Sequence, residues 1–208
     1  MDVDAVEIRV LGCLIEKQRT TPDAYPLSLN ALRLACNQAT NRDPVVAYEE
    51  REIKAALDRM SNRGWTRFAS GVSSRALKYR QLLNEALGLS EPEISLLGVL
   101  MLRGPQTVGE LKQRSERLHR FGSVAEVAEV LDGLTQRELV ARLARRPGQK
   151  EERWQQLLGG DSDAAVEPVA PVPAEGADRL GAIEERLERL EGAFDELIAR
   201  LDRVPDRE

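Results

Sequence analysis

Arg67, Arg75, Lys78 and Arg80 fall within residues 65–82 with no acidic residue among them, and Arg142, Arg145, Arg146, Lys150 and Arg153 crowd residues 139–153 against only Glu151 and Glu152. Clustered guanidinium and ammonium groups of this kind can grip the phosphates of a polyanion, a contact that is steeply salt dependent and carries little sequence information. A second group, Asn37, Gln38, Asn41 and Arg42, joins amides to a cation. Such amides can read base edges or hold a partner's backbone, yet Asn and Asp beside Pro also cap turns locally, and both readings stand. Catalytic groups are scarce. The single His119 lies between Leu118 and Arg120 with no nucleophile or carboxylate spaced to serve it, and Gly148 sits in a turn instead of a phosphate loop. No enzyme is expected, and no cofactor. Cys13 and Cys36 form no metal-ligand spacing, so no metal site is expected, and Cys13 reads as a buried thiol among Leu11, Leu14 and Ile15.

What must position these residues is a repeated unit. Ile8–Leu14 and Ile94–Leu100 both read I-x-x-L-G-x-L, 86 residues apart; Leu57–Arg63 and Leu131–Arg137 both read L-D-x-[ML]-[ST]-[NQ]-R, 74 apart. Two matches in the same order predict one small domain made twice, with a shorter internal loop in the second copy. In the first copy, Asp4-x-x-Glu7 opens a helix over about 5–18 whose apolar stripe faces a core; Ser28 caps a second helix; a third runs over about 48–63 and stops at Gly64. Residues 65–68 and 76–80 then read as two strands of a hairpin. In the second copy, capping boxes at Ser90-x-x-Glu93, Thr107-x-x-Glu110 and Ser123-x-x-Glu126 start three helices, and 139–143 and 153–157 form another hairpin. Three helices followed by a hairpin is the winged-helix order, with the third helix facing the major groove and the hairpin as the wing. The fold class is thus mainly α with small β-hairpins: tandem winged-helix domains at 1–88 and 89–158, plus a C-terminal coiled-coil helix.

Between the domains and that helix, residues 159–178 hold several Gly and Pro and five acidic groups with no basic one, the composition of a disordered linker. Within 179–205, Leu180, Ile183, Leu187, Leu190, Phe194, Leu197, Leu201 and Val204 alternate spacings of three and four, a heptad pattern that predicts self-assembly as a homo-oligomer; packing of the same helix on its own domains is the alternative.

The stretch Thr21-Pro22-Asp23-Ala24-Tyr25-Pro26-Leu27-Ser28-Leu29-Asn30, followed by Ala35-Cys36-Asn37-Gln38 and Asn41-Arg42-Asp43-Pro44-Val45, resembles the signature of the bacterial YceH family. The resemblance covers about residues 5–158. It implies a tandem winged-helix fold and brings no activity with it.

The net charge of −5 conceals a split: residues 1–158 carry 24 Lys and Arg against 21 Asp and Glu, residues 159–208 carry 6 against 14. The third helices argue against groove reading. Glu49, Glu50, Glu52 and Asp58 offset Arg51, Lys54, Arg59 and Arg63 in the first, while Glu126, Glu129 and Asp132 face only Arg137 in the second. Two functions therefore remain open: a DNA-associated regulator whose basic wings contact duplex phosphates, or a protein-interaction scaffold that binds a protein partner and no DNA. The acidic start Met1-Asp2-Val3-Asp4 lacks a signal-peptide pattern and no apolar run approaches the ~20 residues that span a bilayer, so a cytoplasmic setting without membrane contact is expected.

Overall fold

Helix α1 (Ala5–Thr20) starts where Asp4 Oδ1 accepts the Glu7 amide at 2.8 Å and Glu7 Oε2 accepts the Asp4 amide at 2.9 Å, which satisfies two of the donors a helix start leaves free. The computed structural model describes residues 3–69, 77–144 and 151–159. Arg75, Arg145, Arg146 and Lys150, the linker from 160 to 178 and the heptad positions from Leu180 to Val204 lie outside the described residues.

A 3-10 turn (Pro22–Ala24) leads to strand β1 (Leu27–Ser28), and α2 (Leu29–Cys36) follows with Ser28 as its cap. Helix α3 (Glu50–Asn62) is somewhat shorter than the expected 48–63, because Glu49 and Glu52 cap it reciprocally and Tyr48 is held elsewhere. Gly64 takes φ +75° and turns the chain into β2 (Thr66–Ala69), which pairs antiparallel with β3 (Lys78–Gln81). Two elements escape the sequence reading. Strand β1 adds to the other edge of β3, Leu27 opposite Tyr79, giving the order β1-β3-β2; two residues are too few to show a strand's alternation. Helix α4 (Leu83–Leu87), one and a half turns ending at Gly88, is too short for helical periodicity.

The second copy comprises α5 (Glu91–Arg103), α6 (Val108–Ser115), α7 (Val124–Gln136), β4 (Val140–Leu143) and β5 (Arg153–Gln156). The first two capping boxes form as expected, but the third does not close: Ser123 Oγ accepts the Glu126 amide at 3.1 Å while the Glu126 carboxylate accepts from Gly122. Gln106 and Trp154 exchange both backbone hydrogen bonds, at 2.7 and 3.0 Å, so this bridge stands where β1 meets β3 in the first copy. Tyr79 and Trp154, at the two bridges, are both buried.

Helices α1 and α5 pack directly on one another, and one continuous apolar cluster runs from Val3 to Leu158. The expected single apolar stripe on α1 is therefore corrected: Glu7 to Ile15 are buried in unbroken sequence, as are Ile94 to Leu102 on α5. Each fully buried Leu or Ile here contributes on the order of 2 kcal/mol. A Cβ on Gly12 would lie 2.9 Å from Leu102 Cγ and 3.0 Å from Met101 Cβ; one on Gly98 would lie 2.9 Å from Ile15 Cγ2. Because Gly12 corresponds to Gly98 and Ile15 to Met101 in the repeat, these contacts are the same contact made twice with the copies exchanged. Glu7, buried within α1, is paired with Arg63 at 3.2 Å and Arg59 at 3.4 Å.

The cap of α5 yields a pH test. Burial alone would raise the Glu93 pKa; the Ser90 hydroxyl and amide, with Arg137 at 3.0 Å, outweigh burial and hold it below its ordinary 4.5. A depressed carboxylate contributes stability that is complete above its unfolded value and lost as pH falls through the folded one. Glu93→Ala is expected to lower the melting temperature by about 2–4 °C at pH 7, and by less as the pH is taken below 4.5 and through the depressed folded value, as read by thermal melts of both proteins.

Candidate nucleic-acid interface

The first hairpin presents its cations unevenly. Arg67 on β2 is exposed and stands directly opposite Arg80 on β3, but Arg80 donates to Glu85 at 2.7 Å. Lys78 lies opposite Ala69. Among the described residues neither Arg67 nor Lys78 makes an ion pair. Phe68, 43% exposed, stacks at 5.1 Å on Tyr79, and Leu77 is 60% exposed, so an apolar strip accompanies the free cations. In the second hairpin, Arg142 is exposed but hydrogen bonded to Glu152, which raises its pKa, and Arg153 is turned inward to Glu110 at 3.2 Å and the Pro105 carbonyl at 2.9 Å. The two hairpins thus differ: among the described residues, Arg67 and Lys78 make no ion pair, whereas Arg142 and Arg153 are held by carboxylates.

The third helices differ as well. Arg51, Lys54, Asp58 and Asn62 of α3 are exposed, with Lys54 bound to Asp58 at 2.9 Å. Arg59 and Arg63 turn to Asp4 and Glu7 of α1, leaving Arg51 as the cation of α3 with no ion pair among the described residues. On α7 the exposed positions include Glu129, Asp132 and Gln136, and Arg137 just beyond is bound to Glu93. Sequence reasoning weighed α3 by its composition and missed that Arg59 and Arg63, though exposed, are held by acids at the start of α1. The signal was Glu7, an acidic group at a position that also belongs to the buried start of α1.

The amide cluster builds a loop. Asn37 Nδ2 donates to the Tyr48 carbonyl at 2.9 Å and Asn37 Oδ1 accepts the Tyr48 amide at 2.8 Å, so one side chain pins both ends of the α2–α3 connection. The Arg42 side chain is 0% exposed; it donates to the Ala35 carbonyl at 3.1 Å, the Asn41 carbonyl at 2.9 Å, Gln38 Oε1 at 2.9 Å and Glu16 Oε2 at 2.6 Å. Arg9 donates to the Cys36 carbonyl at 3.0 Å and the Pro44 carbonyl at 2.6 Å. Two guanidinium groups therefore satisfy the last carbonyls of α2, where the helix dipole favours positive charge. Burial lowers the Arg9 pKa; for Arg42 burial acts the same way, but the hydrogen bonds of Glu16 reverse it and the net shift is upward. Asn41 alone reaches the surface, at φ +60°, where it accepts from Arg103 of α5.

Of the remaining groups, His119 lies partly buried with its ring 4.7 Å from that of Phe121, and Cys13 and Cys36 are both buried thiols. Among the described residues no cluster of His, Cys, Asp and Glu could hold a metal ion, and no helix is long and apolar enough to cross a membrane.

The arrangement defines a class: a mainly helical protein of two like copies, each three helices with a small antiparallel sheet or bridge, fused through the first helix of each. Residues 3–149 match the family model described as "Protein of unknown function, DUF480". The chain is 45% identical over 201 residues to a UPF0502 protein of Geotalea uraniireducens strain Rf4, covering 96% of this chain and 91% of that one. It is 47% identical over 206 residues to a UPF0502 protein of Klebsiella pneumoniae strain 342, covering 95% and 94%, and 49% identical over 193 residues to one of Geobacter metallireducens, covering 91% and 87%. The chain belongs to the DUF480/UPF0502 family, which is the family of YceH that its Thr21–Val45 signature resembles.

Proposed function

We propose that this chain is a tandem winged-helix protein that associates with duplex DNA as a regulator, with phosphate contacts made chiefly by its first wing and avidity supplied by assembly through the heptads at 180–204. One observation carries the reading: Arg67, exposed, and Lys78, half-buried, stand on one hairpin with no ion pair among the described residues, and Phe68 on the same strand as Arg67 is 43% exposed. Arg51 of α3 is a further exposed cation with no ion pair among the described residues. The order of helices and hairpin, given twice, supports the winged-helix description.

The test is fluorescence anisotropy of a labelled mixed-sequence duplex with the full chain at ~50 and ~200 mM salt, comparing wild type, Arg67→Glu/Lys78→Glu and Arg142→Glu. Loss of two phosphate contacts should weaken binding at low salt by at least about tenfold and lower the salt slope by roughly 2. Arg142→Glu should do less, since that charge is already held by Glu152. Equal affinity in the wing variant would remove the wing from the interface. Absence of duplex binding by wild type at ~50 mM salt would favour the second reading, a scaffold for a basic protein partner, for which the exposed Glu129 and Asp132 of α7 are the supporting observation.

A further inference from the structure

A recess of about 550 Å³ opens where the two copies meet, between α1 and the Asn41 turn on one side and α5 and α6 on the other. Its lining includes Arg103, Arg114 and Arg117. Two carboxylates also reach it: Glu16 is held by Arg42 at 2.6 Å, and Glu116 lies 3.8 Å from Arg120. Arg114 lies 3.4 Å from Glu110, a carboxylate that it shares with Arg153 and with the cap of α6. Arg103 and Arg117 make no ion pair among the described residues. Three guanidinium groups thus share one recess with two carboxylates, of which Glu16 is held by Arg42 and Glu116 is only loosely paired with Arg120.

The surroundings of Arg103 show the same imbalance. Burial, then the like charges of Arg114 and Arg42, push its pKa down, so the charged form is held at a cost that a bound anion would remove. Asn41, exposed in the left-handed region, accepts from Arg103 Nη2 and holds the guanidinium at the mouth of the recess. A planar fork is suited to an oxyanion, and several forks together favour the dianionic, three-oxygen face of a phosphate monoester over the single charge of a carboxylate.

A second recess of about 360 Å³ shares Arg103 and Arg114 and continues along α6 to Gln106 and Asp43. Here the free groups are acceptors. Gln106 Nε2 donates to the carbonyls of Arg103 and Pro105, at 3.0 and 2.9 Å, and its buried Oε1 has no hydrogen-bond partner among the described residues. Asp43 makes no ion pair among the described residues. A ligand whose phosphate enters the first recess would meet these acceptors with its remaining end, which should therefore carry hydroxyl or amino donors.

We propose that this junction is a binding site for a small phosphate monoester bearing hydroxyl or amino groups, gripped by Arg103, Arg114 and Arg117. The site does not depend on DNA association. It requires both copies, since Thr20 and Asn41 come from one and the three arginines from the other.

Inorganic phosphate and phosphoethanolamine serve as probes for the full chain, followed by melting temperature at constant ionic strength with acetate as the reference anion. Both phosphates should raise the melting temperature above the acetate value, saturably, with phosphoethanolamine acting at lower concentration. Arg117→Gln, an exposed position with no ion pair to lose, should weaken the effect by about tenfold or more, and Arg103→Gln likewise; Arg33→Gln, on α2, should not. No rise beyond acetate, or an equal rise in Arg117→Gln, overturns the site. A rise with inorganic phosphate that phosphoethanolamine does not match at lower concentration overturns the donor-bearing class of ligand.

Discussion

Gly98→Leu is expected to cost about 3 kcal/mol of stability, and Gly98→Ala a smaller amount, about 1 kcal/mol. The position lies where α5 touches α1. A Cβ there would meet Ile15 Cγ2 at 2.9 Å, Ile15 Cβ at 3.5 Å and Leu118 Cδ2 at 3.6 Å. A single methyl already presses on Ile15 Cγ2, a branch bonded directly to Cβ of a stiff and fully buried side chain, so the gain of up to about 1 kcal/mol from removing a glycine from a helix interior is outweighed. Three further carbons have nowhere to go, because Leu14, Ile15 and Leu97 around them are already fully buried. Urea denaturation of the three proteins would measure the difference. Adding Ile15→Ala to Gly98→Leu should recover part of the loss, a non-additivity that shows the two residues compete for one space. If Gly98→Leu is as stable as wild type, the close approach of α1 and α5 is wrong.

Arg42→Ala is the second large effect, about 3–5 kcal/mol. The substitution leaves Glu16 without its main partner and strips Gln38 Oε1 and the Ala35 carbonyl of their donor, in a region that is buried at Ala35 and half-buried at Glu16 and Gln38. Arg42→Lys should rescue little, because a lysine offers a point charge where the structure uses a fork aimed at four acceptors. A melting temperature within about 2 °C of wild type for Arg42→Ala would show that the loop does not depend on this arginine. Duplex affinity of folded Arg42→Lys provides the complementary readout, since a structural residue should leave it unchanged.

Much of this architecture is legible in the residues. The capping patterns at Asp4, Ser28, Ser90 and Thr107 mark helix starts because their chemistry is local: a short polar side chain meets an amide three positions on. Gly64 marks a helix end for the same reason. Gly122 illustrates the limit, since its amide drew the Glu126 carboxylate away from the expected cap, a competition between neighbouring donors that no spacing reveals. Long-range features are harder to read. Strand β1 exists only because β3, fifty residues later, offers an edge. The wing cations looked equivalent in sequence, yet their availability depends on whether Glu85, Glu110 or Glu152 comes within reach. The junction of Arg103, Arg114 and Arg117 with Asn41 could not be anticipated at all, because it depends on how one copy docks against the other. The repeated glycine at 12 and 98 was visible as a motif, but its reason, a helix contact made twice, required the fold.

The burial of α1 around its full circumference also bears on how the chain is made. A growing polypeptide emerges from its N-terminus, so α1 is synthesised long before α5, which alone covers the side of it that carries Gly12 and Ile15. Some 80 residues separate the end of α1 from the end of α5, which at ordinary rates of synthesis is an interval of about 4–16 s. During that time the first copy carries an uncovered apolar flank whose natural complement is its own later image. A neighbouring nascent chain on the same message presents the same flank, so the first partner available to each is another unfinished copy, and completion of α5 is what makes the contact internal.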